Sequence, residues 1–280
     1  MGTDRTFQKQ LHEIRPHAGQ VASAANLIQM LRGSGIVASH RHSQHAVQDS
    51  YSVRCSPQVA GAARDTLDFA RRTAAVELAS VVDNPVVLES GEVESTGNFH
   101  GEPLAFAADF LAIAAAEVGA ISERRLDRLL DPHRSEGLPP FLAEEPGVNS
   151  GLMVAQYTAA AMVAENRRLA APASVDSIPT SGMQEDHVSM GWGAALKLRT
   201  VLDNLTHILA VELMASARAL DLRAPLKPAP ATAAVRDLVR TVVGGPGPDR
   251  FLAPDLAAAE LLVRTGAVVA AAEAVTGHLL

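Results

Sequence analysis

The stretch HVSMGWGAALKLRTVLDNLTHILAVELMASARAL, residues 187–220, decides the reading of the chain. Leu198, Val201, Leu202, Leu205, Ile208 and Leu209 follow each other at three- and four-residue steps, and Leu213 continues the rhythm. That period is the turn of an α-helix, so the segment predicts a long rod with one apolar stripe. The stripe has to be buried against other helices, within a bundle or between subunits.

Working outward, the same pattern recurs. Residues 104–130 read as a second long apolar-periodic helix, and residues 150–169 as a third, with Asn149-Ser150 a plausible helix start. Residues 57–81 read as a helix through Ala60, Ala63, Leu67, Phe69, Ala70 and Ala74. Short helices are expected at 6–13 and 21–31, and two more at 233–243 and 254–280. Residues 81–97 read as a loop or small hairpin, with Val86, Val87 and Leu88 between Pro85 and a turn at Gly91. The apolar tail, 261–280, is interrupted by Arg264, Glu273 and His278 and is read as a buried helix rather than a membrane span. No Gly-rich phosphate loop follows a strand, so a dinucleotide-binding fold is excluded. The expected architecture is all-α, a single helical domain over 1–280 built as a bundle of long helices.

Composition agrees. The apolar content, 48%, comes with only 4% aromatics, so small side chains dominate and helices can approach closely. With 24 Lys and Arg against 31 Asp and Glu, the net charge of -7 disfavours a nonspecific nucleic-acid surface. A single cysteine, Cys55, rules out an internal disulfide and suits a reducing compartment. It reads as a buried thiol rather than a nucleophile. The polar opening residues give no secretory signal, so a cytoplasmic location with no membrane partner is expected.

Three polar segments interrupt the helical pattern. In QDSYSVRC, residues 48–55, Gln48, Tyr51 and Arg54 lie three apart and would share one face of a helical turn. An arginine fork there suits a carboxylate; an ordinary solvated turn is the alternative. In TGNFHGEP, residues 96–103, two glycines flank a polar-aromatic stretch ahead of a helix. This fits either a close backbone approach to a ligand or a helix entry with Phe99 in the core. In QEDHVS, residues 184–189, Glu185 is either an acceptor in a cleft or a first-turn carboxylate that complements a helix N-terminus. His40, His42 and His45 lack the spacing of the strong zinc signatures and read as a polar loop, so no metal is expected. Arg124 and Arg125 read as surface or interface charges.

Taken together, these segments resemble the histidine ammonia-lyases of the aromatic amino acid lyase family. The resemblance rests on RPHAGQ from Arg15, QDSYSVRCSPQV from Gln48, DNPVV from Asp83, GNFHGEPLAFAADFLAIA from Gly97 and ISERR from Ile121. LPPFL from Leu138, NSGLMVAQYTAAAMVAEN from Asn149 and PASVDSIPTSGMQEDHVSMG from Pro172 follow in order, and the likeness loosens after Arg223.

The resemblance implies a tetramer around a central helical bundle, with each active site drawn from three subunits. It implies a 4-methylidene-imidazole-5-one (MIO) ring made autocatalytically from Ala-Ser-Gly. It implies that Arg54 holds the substrate carboxylate, that Tyr51 acts beside it, that Gln48 and Phe99 line the ring and the substrate, and that Glu185 faces the substrate imidazole or amino group. The run GMQEDHVSM resembles the histidine-specific form. By the same likeness this chain corresponds to the C-terminal half, or somewhat more, of a typical member. Its Ser-Gly pairs follow Gly33, Glu89, Asn149 and Thr180, never alanine. The ring, the catalytic tyrosine loop and an asparagine beside the ring are therefore expected from an N-terminal portion, carried by a partner chain if this is a split subunit and missing if it is a fragment. A noncatalytic helical subunit, or a lyase or aminomutase acting on another aromatic amino acid, remains open at this point.

Overall fold

The computed structural model describes residues 2–41 and 47–280. The chain opens with α1 (Lys9–Glu13) and α2 (Ala18–Leu31), then two short helices, α3 (Gly35–Ser39) and α4 (Tyr51–Arg54). Next comes α5 (Ser56–Leu78), started by Pro57 in its first turn, where a missing N–H costs nothing. A two-stranded hairpin follows, β1 (Val86–Val87) antiparallel to β2 (Val93–Glu94). The long helices are α6 (Glu102–Leu130), α7 (Met153–Leu169) and α8 (Gly191–Leu222). The chain closes with α9 (Pro230–Arg240), α10 (Ala253–Arg264) and α11 (Ala267–Thr276).

Side-chain pairs give the directions of the rods. Asp109 pairs with Lys197 and Arg125 with Glu212, so α6 and α8 run parallel. Leu78 and Leu104 share a pocket while Phe69 meets Phe110, so α5 runs antiparallel to α6. The Gln156 amide donates to Asp127 near one end of α7, and Asn166 donates to Val201 O near the other, so α7 also opposes them. The main core lies among the C-terminal halves of α6 and α8, α7 and the final helices, around Leu126, Leu130, Leu152, Ile208, Val211 and Val239. α6 is long and apolar enough to cross a membrane by length and composition; its packing against α5, α7 and α8 is that of a core helix.

Several expectations need correction. The stripe of α8 is buried at Val201 and Ile208, but Leu202 is 45% exposed, because the three-to-four rhythm winds off the α6 face. On α5 only Ala70 of the expected stripe is buried; Leu67 and Phe69 are exposed, and close packing comes instead from Gly61, where a Cβ would lie 2.5 Å from Gln20 Cα. The tail is not one buried helix. Gly266, at φ 73°, breaks it into α10 and α11, and Leu261, Val269 and Val275 face outward. Asn149-Ser150 does not start α7. Asn149 lies in a loop held by Asp249, whose carboxylate accepts from the N–H groups of Ser150 and Gly151. Arg125 is not a free surface charge: it forks onto Glu212, which also accepts from Ser122.

Candidate active site

The first cluster is built on α4. Ser50 precedes the helix in extended backbone, and the turn spans only Tyr51–Arg54. Gln48 is therefore not on the helix, and the shared helical face expected for Gln48, Tyr51 and Arg54 reduces to Tyr51 and Arg54. The guanidinium carbon of Arg54 sits 4.4 Å from the Tyr51 ring centroid, a cation–π stack. Arg54 Nε donates to Asp49 O at 2.8 Å, which aims the fork. Its terminal nitrogens make no hydrogen bond among the described residues. The Asp49 carboxylate in turn holds the N–H and hydroxyl of Thr3. Tyr51 is 71% exposed and Gln48 is also exposed. Cys55, next in sequence, is half-buried rather than buried.

The second cluster joins the loop before α6 to the loop before α8. Phe99 is 57% exposed, so it is not tucked into the core as one reading held; its ring borders a shallow pocket with Leu78, Val82 and Leu104. Asn84, in the DNPVV stretch, secures this loop by accepting from Thr96 N–H and the Ser95 hydroxyl. Glu185 does not enter the first turn of α8, which begins six residues later at Gly191. It folds back instead: Thr180 and Glu185 exchange backbone hydrogen bonds, and the Thr180 hydroxyl donates to the Glu185 carboxylate. Hydrogen bonds from Thr180 and Ser181 hold its carboxyl below the usual range, so at neutral pH it is an acceptor. The turn beneath it is strained, with Ser181, Gly182 and Met183 all at positive φ.

The base of that loop is pinned from α6. The buried Asp109 carboxylate accepts from Lys197 and from the N–H groups of Ala173 and Ser174. Burial pushes this carboxyl up, but the bonds from Lys197 and Ser174 outweigh it and hold it below the ordinary value. Ser177 closes the neck by bonding both N–H and C=O of Val188. His100 and His187 stack across the two loops. The sequence reading missed Asn84, Asp109, His100 and His187; all lie within the motifs quoted above, but a motif does not say which loop its residues hold.

The two clusters do not meet within one chain. Val53 of α4 lines a cavity of 310 Å³ with Arg125, Arg128 and Leu129 at the C-terminal end of α6. Phe99 lies at the N-terminal end of that helix. α5 spans the gap in 23 residues, roughly 33 Å at 1.5 Å per residue. Of the three histidines, His42 and His45 lie outside the described residues. Among the described residues, no group of three or more His, Cys, Asp or Glu side chains is placed to hold a metal ion.

Long rods running in both directions, with polar loops at either end, make this an all-α helical bundle. The aromatic amino acid lyase profile matches residues 1–241, and the chain belongs to that family. A histidine ammonia-lyase of Streptomyces avermitilis is 64% identical over the whole chain, which covers 55% of that relative. The chain thus spans about half the length of the curated relatives it matches. Among solved structures, a histidine ammonia-lyase from Trypanosoma cruzi superposes at TM-score 0.88 with 40% identity, over 98% of this chain and 51% of that one. A tyrosine aminomutase from Streptomyces globisporus superposes at 0.95, also with 40% identity, over 100% and 57%.

Proposed function

We propose that this chain supplies two half-sites of an ammonia-lyase that converts L-histidine to urocanate and ammonia. The observation that carries the reading is the placement of two largely exposed polar clusters at opposite ends of α5 and α6. Arg54 of one protomer would hold the substrate carboxylate, with Tyr51 and Gln48 beside it. Phe99 and Glu185 of another would set the ring and the imidazole or amino group. Both the arginine fork and the ionised Glu185 are acceptable partners for a zwitterionic amino acid.

No Ala-Ser-Gly occurs in these 280 residues, so the tripeptide that forms MIO would lie outside them. The residues present suit a site beside such a ring: exposed Phe99 offers an aromatic face and exposed Gln48 a neutral amide. The ring, when bound, supplies an electrophile that turns the substrate amino group into a better leaving group. We assign it to an N-terminal portion outside these residues, within a tetramer-like homo- or hetero-oligomer in the cytoplasm.

The test is urocanate formation by this chain, by an N-terminal chain carrying Ala-Ser-Gly, and by their mixture. Turnover is expected only in the mixture. A silent mixture, with the ring confirmed by the loss of water from the N-terminal chain, rejects the reading. The likeness to the tyrosine aminomutase favours a second reading, an aminomutase or lyase for another aromatic amino acid. A substrate panel with product identification separates the two, and unchanged turnover in Arg54→Ala would point instead to a noncatalytic assembly subunit.

A further inference from the structure

We infer that His100 and His187 form a clasp that sets the spacing between Phe99 and Glu185, making both positioning residues of the proposed site. The inference rests on the lyase reading for its catalytic consequence, but not for the clasp itself. The two imidazoles stack with ring centroids 5.8 Å apart and planes 5° from parallel. His100 Nε2 lies 3.2 Å from the backbone oxygen of His187. A carbonyl only accepts, so the proton of His100 sits on Nε2. The bond thus fixes both the ring's tautomer and its orientation.

Each histidine is next to, or two residues from, a side chain assigned to the site. Phe99 precedes His100, and Glu185 stands two before His187. Below the clasp the loops are already close: a Cβ on Gly101 would lie 3.3 Å from Ser189 Oγ, and Gly191 sits against Gly101 O. Asp109 and Ser177 fix the far side of the 171–190 loop. The stretch carrying Glu185 stands beyond these anchors, and the imidazole pair ties it to the Phe99 loop. The separation of the two side chains is set with the rings together.

The test pairs hydrogen exchange on the chain alone with kinetics of the chain joined by an N-terminal chain. In His100→Ala, amides of residues 177–189 should exchange about ten-fold faster while α6 and α8 stay protected. KM should rise about ten-fold with kcat nearly held, since binding geometry rather than the reacting groups is disturbed. His100→Gln, which returns an N–H near the Nε2 position, should restore much of both effects. His187→Phe, which keeps an aromatic ring and the backbone acceptor, should be milder than His187→Ala. Unchanged exchange in His100→Ala overturns the clasp, as does an equal loss in the Ala and Gln variants, or a fall in kcat with KM fixed. If the wild-type mixture turns over no amino acid, the lyase reading fails, and exchange in the Ala and Gln variants still decides the clasp.

Discussion

Arg54 shows how a single side chain carries both a local and a long-range argument. Its Nε is tied to Asp49 O and its flat face to Tyr51, leaving the terminal nitrogens for a planar anion. Lysine offers a point charge and no fork, so under the proposed lyase reading Arg54→Lys should lower kcat/KM of the assembly by about 100-fold with little change in melting. Steady-state kinetics and a thermal scan check both halves of that expectation. Asp109 makes the opposite kind of case, buried and wholly committed. Asp109→Asn leaves Lys197 short of its counter-charge and should destabilise the chain by about 3 kcal/mol. The folded carboxyl lies below its unfolded value, so its contribution is in place above about pH 4 and drains away as pH falls through the folded value. Urea titrations of wild type and Asp109→Asn should therefore converge toward acid pH. Arg54 and Tyr51 were legible because three-residue spacing is a statement about one helical turn. The setting of Glu185 was not legible, because nothing local announces that Thr180 will fold back onto it.

At the scale of elements, long helices were legible and their seams were not. Periodicity located α6, α7 and α8 to within a few residues, since each must hide one face for its full length. It could not see that α2 and α5 cross at glycines, because a missing side chain leaves no mark on an apolar pattern. A Cβ on Gly61 would stand 2.3 Å from Gln20 N, and one on Gly19 equally close to Gly61 O. Gly61→Ala should therefore cost about 1–3 kcal/mol, against the usual gain from alanine in a helix. Chemical denaturation reports the sign directly. The same blindness joined α10 to α11 in the sequence reading, where a left-handed Gly266 turns the chain. Leu205 sits at a seam of α8, partly buried against Gly119 and the small cluster of Ala112, Ala115 and Val201. Leu205→Asp should lower the melting temperature and weaken any assembly, because the charge enters an apolar seam.

For the whole molecule, the decisive feature is the length of the rods between the two polar clusters. If a site takes Arg54 from one protomer and Glu185 from another, two crippled chains can rescue each other. An equal mixture of Arg54→Ala and Glu185→Gln chains, co-assembled with the N-terminal portion, should recover about a quarter of the activity by random pairing around a symmetric assembly. Each variant alone should be nearly inactive, and a mixture no better than its parts would contradict a shared site. The span between the clusters carries one more consequence. Helices do not fold double, so no breathing of a lone protomer brings Arg54 to Glu185, and if the proposed site takes both, turnover becomes a property of how much protein is present. Specific activity should fall as the sample is diluted and return on reconcentration, a mass-action signature that a self-contained site would never give.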